Sequence, residues 1–372
     1  MKISTSKSEL QHALQKLSKA TPSRSTLPIL SFVLFKVDKK ETVLRSTDLE
    51  ITIVTKLPTT IEKTGQATIP LQTLLEITNE LGDERITIAT DDQNKVKLIT
   101  DTGKYDLMGK APEEFPALPD IDSQKSIGLS FETLKEIINT TSFAVSRDEL
   151  KPALTGVYFK FEKEGLTAVA TDGHRLVRCI CKDFQAKEFI GDVIIPKKFL
   201  TLLSSLSSSD ENTELSLGEN HLTAELGDDT IYTRVIDERF PDFESVIPTD
   251  NEKELIIDRD VITGAVRRVS IFSNKATHQV ALSLDENSIQ ITTEDPEKAS
   301  SAKEDLPNSS YKGDALVIGY NASYLKDIIM HIDDKKIIAK LKTPISATLF
   351  YPEKPRDDRD ITMLLMPIRL ND

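Results

Sequence analysis

The sequence predicts an α+β protein built from three tandem copies of one domain, with helices on one face of antiparallel sheets. Three observations carry this. GQATIPLQTLLEITNEL at Gly65, GDVIIPKKFLTLLSSL at Gly191 and GDALVIGYNASYLKDIIMHI at Gly313 share one strand-then-helix plan, at spacings of 126 and 122 residues. EEFPALPDI and ERFPDFESVIP place Phe115 and Phe240 125 residues apart. Each copy also repeats the same order: an amphipathic helix, two strands, a strand leading into a second helix, then two or three more strands. So long a period belongs to a whole domain, not to a solenoid repeat.

Copy one opens with a short strand, MKIST, and a helix whose Leu10, Ala13, Leu14 and Leu17 share a face. Ser6 and Glu9 have capping-box spacing for that helix. SFVLFKV from Ser31 alternates as a half-buried strand does, and Pro70 falls where the first turn of the second helix tolerates proline. In copy two the strand GVYFKF begins at Gly156, Pro196 takes the place of Pro70, and Phe199, Leu202, Leu203 and Leu206 form the helical stripe. Leu325, Ile328, Ile329 and Ile332 form it in copy three. Polar stretches after a proline, at Ile121 to Lys125 and at Pro248 to Lys253, divide the chain into residues 1–122, 123–250 and 251–372.

At 372 residues, 38% hydrophobic and 29% charged, the chain is long enough for two or three soluble globular cores. It has no apolar run of ~20 residues to span a bilayer and no apolar signal segment at its start, which points to the cytoplasm. Cys179 and Cys181 are the only cysteines, two apart on one strand face, and read as reduced thiols rather than a disulfide. A metal site would need further ligands from scattered histidines or carboxylates without metal-site spacing, so no metal is expected.

Net charge is −13, divided as −2, −8 and −3 over the three copies. The total argues against nucleic acid, but binding depends on where charges sit rather than on their sum. No phosphate loop, nucleophile elbow, zinc-protease helix or dinucleotide fingerprint occurs, and no cofactor is implied. His12, His221, His278 and His331 stand apart from one another, and the acids at Asp83 and Glu84 and at Asp357, Asp358 and Asp360 read as solvated loops.

The remaining candidate for chemistry is ATDGHRL, holding Asp172, His174 and Arg175. LRSTDLEI from Leu44 and QITTEDPE from Gln290 stand at the matching places, so Thr47, Thr171 and Thr293 align, each followed by an acid. An acid common to three copies is expected to satisfy turn amides rather than to catalyse. What distinguishes copy two is Gly-His-Arg-Leu.

Three tandem copies, TLPILSFVLF in the first, ATDGHRL and FPDFESVIP in the second and a terminal MPIRL together resemble the bacterial DNA sliding clamp family, the beta subunit of DNA polymerase III, over the full chain. The resemblance implies no enzyme but a head-to-tail homodimer, closed into a ring of six like domains that encircles duplex DNA without sequence readout. Cations would face inward. Arg24, Lys197 and Lys198 match the family there; Lys7, Lys16 and Lys19 on the first helix and Arg267 and Arg268 on GAVRRV are added from helical patterning. The family's DNA-contacting loop near Lys151 here carries Pro152 and Ala153 at its aromatic positions.

The resemblance further implies an apolar groove for short peptides of DNA polymerase subunits, the clamp loader and repair proteins. By matching motif it comprises Leu154, Thr171, Gly173, His174, Arg175 and Leu176, Pro241 and Val246, and Leu364, Met366, Pro367, Ile368 and Arg369. Apolar walls with polar Arg and His heads at the rim suit such a task. From alternation alone, without the resemblance, MPIRL reads rather as a closing strand, since Met366 and Ile368 alternate as a core face would. This chain continues through Asn371 and Asp372 beyond the family's usual ending. For the ring interface the matching positions are Tyr105 and Leu107 on one subunit against Ile271 and Phe272 on the other, with Lys104 facing acids around Glu294 to Glu304. The rival readings are a three-domain protein scaffold without DNA and a hydrolase using Asp172 and His174.

Overall fold

The computed structural model describes residues 1–22, 24–119, 125–186, 188–206 and 213–370. Most of the Ile121–Lys125 stretch, and Asn371 and Asp372, therefore lie outside the described residues. Six α-helices occur among those described: α1 Lys7–Leu17, α2 Leu71–Glu80, α3 Phe131–Thr141, α4 Lys197–Leu206, α5 Arg259–Val269 and α6 Ala322–Met330. The α1 stripe is buried as the periodicity requires, at Leu10, Ala13, Leu14 and Leu17, and Ser6 Oγ accepts from the Glu9 amide at 3.2 Å. In α4 the buried face is Phe199, Leu200, Leu202 and Leu203, with Leu206 only half-buried. Pro70 and Pro196 sit one residue earlier than expected. Each ends a strand, and the helix begins at the next residue, where proline's missing amide costs the helix nothing.

The chain forms two compact units, Met1–Glu132 with Lys187–Phe189 and Lys198–Val235, and Thr133–Ala186 with Ile190–Lys197 and Ile236–Asp372. In the first, a five-stranded antiparallel sheet runs in the order Thr60–Lys63, Lys2–Ser6, Arg85–Thr90, Lys95–Ile99, Lys104–Met108. An eight-stranded sheet joins strands of copy one (Gly65–Pro70, Phe32–Val37, Thr42–Thr47, Ile51–Leu57) to strands of copy two (Asp229–Arg234, His221–Leu226, Thr213–Leu217, Lys125–Ser126). The seam pairs Ile53 with Ile231 and Thr52 with Tyr232.

The second unit has the same design. A nine-stranded sheet joins Gly191–Pro196, Gly156–Phe161, Glu164–Thr171 and Arg175–Gln185 of copy two to Arg359–Leu365, Thr348–Pro352, Lys336–Leu341, Lys253–Asp258 and Ser309–Lys312 of copy three. Its seam pairs Leu176 with Leu364 and Cys179 with Ile361. Both thiols are free and buried. A four-stranded sheet runs Ser300–Asp305, Ser288–Asp295, Gln279–Asp285, Leu316–Asn321. Three tandem copies thus share two continuous sheets across their boundaries, which unites the edge strands of neighbouring copies instead of leaving them bare.

One buried ion pair ties α1 to the seam of the first unit. Lys16 Nζ lies 2.6 Å from Asp229 Oδ2, and the Asp229 side chain is only 6% exposed. Removing the cation leaves a buried carboxylate with no partner among the described residues. Lys16→Met is therefore expected to destabilise the first unit by about 3 kcal/mol, read as a lowered midpoint of urea unfolding. Adding Asp229→Asn should restore most of it; no recovery in the double variant would mean that the stem of Lys16 matters and its charge does not.

Candidate functional site

The turn at ATDGHRL is built from its own backbone. Thr171 Oγ1 donates to the Arg175 carbonyl at 2.7 Å and accepts from the Gly173 amide at 3.1 Å. Asp172 Oδ1 accepts from the amides of His174 at 2.9 Å and Arg175 at 3.0 Å. Copy one repeats this. Thr47 Oγ1 donates to the Ile51 carbonyl and accepts from Leu49, while Asp48 Oδ1 accepts from Glu50 and Ile51. The left-handed residue is Gly173 in one (φ 89°) and Leu49 in the other (φ 77°), where a side chain costs about 1–2 kcal/mol. Copy three departs from the expected pattern. Strand Ser288–Asp295 runs straight through Thr293 and Glu294, and the chain turns only at Pro296–Lys298, so that Ser300–Asp305 can pair back along the strand.

Asp172 is fully engaged. Its Oδ2 accepts from Arg175 Nε at 3.0 Å, and among the described residues no hydrogen bond joins the His174 ring to the carboxylate. The His–Asp contact that a hydrolase would need is therefore missing. The His174 ring is exposed and lies tilted against Tyr324, centroids 5.7 Å apart.

Arg175 was expected at the groove rim as a polar head, but only 8% of it is exposed. Besides Asp172 it binds Asp327 Oδ2 through Nη1 at 2.6 Å and the Phe143 carbonyl through Nη2 at 2.8 Å. Its guanidinium lies over Tyr324 at 4.7 Å and Phe143 at 5.3 Å. A planar cation with two carboxylates, a carbonyl and two rings is spent on holding the turn. Phe143, Tyr324 and Asp327 are the residues that sequence reasoning missed, and nothing in local periodicity could have paired them with Arg175.

Around this turn the structure gathers much of the predicted groove. Leu154, Leu176 and Leu364 are buried in one cluster with Val169, Ile194, Phe240, Ala347 and Leu349, with Phe243, Ile247 and Tyr351 packed on it. Tyr158 and Phe240 stack at 4.8 Å. Pro152–Leu154 form a 3-10 turn that presents Leu154 inward. Val246 and Met366 are 52% and 40% exposed, and Val246 sits between Phe243 and Ile247. The Met366 amide donates to the His174 carbonyl at 2.8 Å, and the Ile368 amide to the Gly319 carbonyl at 2.9 Å. MPIRL is thus no regular strand but a tail tied at two points. Pro367 is half-buried, while Pro241 and Arg369 are exposed. Phe240 and Phe243 were missed although FPDFESV displays both.

The predicted inward cations fall into two groups. Arg24 is exposed, Lys7 is half-buried, and Arg267 is exposed with Nη2 3.6 Å from the Met330 sulfur. Lys197 is half-buried, and burial, with Arg147 and Arg175 nearby, pulls its ammonium below the ordinary lysine range. The others are engaged within their own units. Lys16 pairs with Asp229, Lys19 donates to Ser205, Lys198 bridges Asp48 and Glu50 at 2.5 and 2.8 Å, and Arg268 grips Glu304 through two nitrogens.

The predicted interface residues are on the surface. Lys104 and Tyr105 are exposed and Leu107 is half-buried on edge strand Lys104–Met108, which among the described residues pairs on one side only. Strand Ser300–Asp305 is an edge in the same sense. Ile271 and Phe272, 77% and 44% exposed, follow α5. Among the described residues no three His, Cys, Asp or Glu side chains group as metal ligands, and no helix is long and apolar enough to cross a membrane.

Comparison with known proteins agrees in extent with this architecture. Family models for the N-terminal, central and C-terminal domains of the DNA polymerase III beta subunit match residues 1–119, 128–242 and 244–369. The chain is 30% identical to the beta sliding clamp of Haemophilus influenzae, covering 100% of both chains. The solved DNA polymerase III subunit beta from Pseudomonas aeruginosa superposes with a TM-score of 0.92 at 28% identity, with both chains fully covered. A sliding clamp of the same organism, solved bound to griselimycin, gives 0.90 at 28% with the same coverage. With two shared sheets, a full-length match and three consecutive domain models, the chain belongs to the bacterial beta sliding clamp family, the beta subunit of DNA polymerase III.

Proposed function

We propose that two copies of this chain, each divided near residues 122 and 250, close head-to-tail into a ring around duplex DNA in the cytoplasm. The family is an accessory processivity subunit rather than a catalyst, and the chain's role is to tether the polymerase to its template. The observation that carries the peptide-docking part of the reading is the seam of the second unit. It sets Leu176 beside Leu364, roofs them with Phe240 and Phe243, and leaves Met366 and Val246 accessible. Apolar burial there would anchor a short peptide from a polymerase subunit, the clamp loader or a repair protein, with the exposed His174 at the edge.

Closure rests on the two edge strands. An edge with unmade backbone hydrogen bonds seeks a partner, and Lys104–Met108 of one copy against Ser300–Asp305 of another would supply it at both ends. Tyr105 and Leu107 would then meet Ile271 and Phe272. Retention on DNA in such a ring is topological, so it needs neither base readout nor many phosphate contacts. Arg24, Lys7, Lys197 and Arg267 are the cations best placed to contribute. Lys16, Lys19, Lys198 and Arg268 would first have to leave protein partners.

Loaded protein should stay on nicked circular duplex and leave within moments of linearisation, followed by gel filtration of the labelled complex. Equal loss from both forms would overturn the ring and favour a scaffold without DNA. Met366→Ala should weaken a labelled polymerase-tail peptide about tenfold, since truncating an apolar anchor costs ~1–2 kcal/mol. Sedimentation should show the dimer unchanged, and an unaltered affinity would place the groove elsewhere. Ile271→Asp should instead yield monomers at micromolar concentration by sedimentation velocity, while the isolated chain still binds the peptide.

A further inference from the structure

The face of the eight-stranded sheet remote from α1 repeats the groove's register with different chemistry. Ser46 Oγ donates to the Leu17 carbonyl of α1, so Arg45, its neighbour, points to the opposite face. Cross-strand pairing puts Lys110 beside Thr68, Thr68 beside Leu34, and Leu34 beside Arg45. In the second unit the same register reads Ile236, Ile194, Tyr158, Val169. Likewise Thr52 faces Tyr232 where Leu176 faces Leu364. The repeat therefore holds the geometry constant while Lys110, Thr68 and Arg45 stand where Ile236, Ile194 and Val169 do, and Leu34 stands where Tyr158 does.

Arg45 is the telling residue. Its Nη2 donates to the Pro116 carbonyl at 2.6 Å and its guanidinium lies 5.1 Å from the Phe115 ring centre. Its Nε is buried without a hydrogen-bond partner, and the arginine forms no ion pair with a described residue. Burial draws its pKa below the ordinary arginine value. Arg175, by contrast, holds two carboxylates. Lys110 lies over Phe32 at 5.6 Å and likewise has no described acid in ion-pair contact. The Nε itself is out of solvent's reach, but a partly desolvated guanidinium with no described acid beside it can still take a carboxylate on its outer nitrogens. Around it the floor is apolar, with Leu34 and Phe115 buried in one cluster and Phe32 packed half-buried against it.

We infer that this face binds an acidic peptide segment, one carboxylate seated on Arg45, a second reaching Lys110 across the two intervening strands, and an apolar side chain between them resting on Phe32. A nucleic-acid backbone fits less well. Glu225 lies on the same face in register with Arg45, so a continuous run of phosphates would meet repulsion that a few spaced carboxylates avoid. The site is separate from the groove of the second unit and does not depend on it.

The test uses the full-length protein and a fluorescein-labelled acetyl-Glu-Asp-Leu-Glu-Phe-amide, followed by anisotropy. Saturable binding that weakens with salt is expected, with at least about tenfold loss in Arg45→Gln, as for a lost charge-assisted hydrogen bond. Lys110→Gln, on a half-exposed side chain that leaves the core intact, should weaken it several-fold, and Met366→Ala should leave it unchanged. The proposal is overturned by no saturation at millimolar peptide, by equal affinity for the Gln and Asn version of the peptide, or by wild-type affinity in Lys110→Gln. It is overturned too if a short single-stranded oligonucleotide binds more tightly than the peptide and loses that binding in Arg45→Gln.

Discussion

Every strand at the end of a sheet exposes a row of backbone N–H and C=O groups that must be met by something, and the rest of this structure follows from how the tandem copies meet them. Strand Ile51–Leu57 of copy one pairs with Asp229–Arg234 of copy two, and strand Arg175–Gln185 of copy two with Arg359–Leu365 of copy three. Antiparallel pairing fixes which side chains become neighbours, at about 5 Å, however far apart they lie in sequence. Leu176 and Leu364 are adjacent for that reason alone. A slip of one residue would send both to the helix-covered face and dissolve the cluster with Phe240 and Leu349.

The same turn is locked twice by different cations, and the difference has energetic weight. Asp172 is held by Arg175, buried, stacked between rings and shared with Asp327; Asp48 is held by Lys198, half exposed. Breaking a buried pair by removing one partner costs ~3–5 kcal/mol, whereas exposed pairs contribute at most about 1 kcal/mol. The copy-two turn is thus the more rigid. Its His174 carbonyl receives the Met366 amide, so rigidity at the turn passes directly to the tail that borders the apolar cluster.

Much of this was legible in the sequence, and what was not has a common cause. Helical stripes, the Ser6 cap and the Thr-Asp turn are local, set by spacing within a few residues, and they stand where periodicity put them except for single-residue shifts at Pro70 and Pro196 and the missing turn at Glu294. The leucines of the cluster were named through motif resemblance. The seam pairings, the Arg175–Asp327 contact and the Lys16–Asp229 pair join residues more than a hundred positions apart. A one-dimensional pattern carries no signal for them. Arg175 shows the consequence: an arginine in a motif looks like a recognition head until its partners Asp327 and Phe143 are seen.

The ion pairs also bear on how an acidic chain, net charge −13, could hold DNA. Lys16, Lys198 and Arg268 would each exchange a carboxylate for a phosphate, and the exchange returns little free energy because one charge-assisted contact replaces another. Only cations without an acid among the described residues, such as Arg24 and Arg267, would release DNA counterions at small cost to the fold. Few such contacts mean weak grip and a shallow dependence on salt. For a protein retained by encirclement that weakness is an advantage, since every strong phosphate contact would have to break at each step of sliding, whereas closure of the ring alone keeps the polymerase at its template.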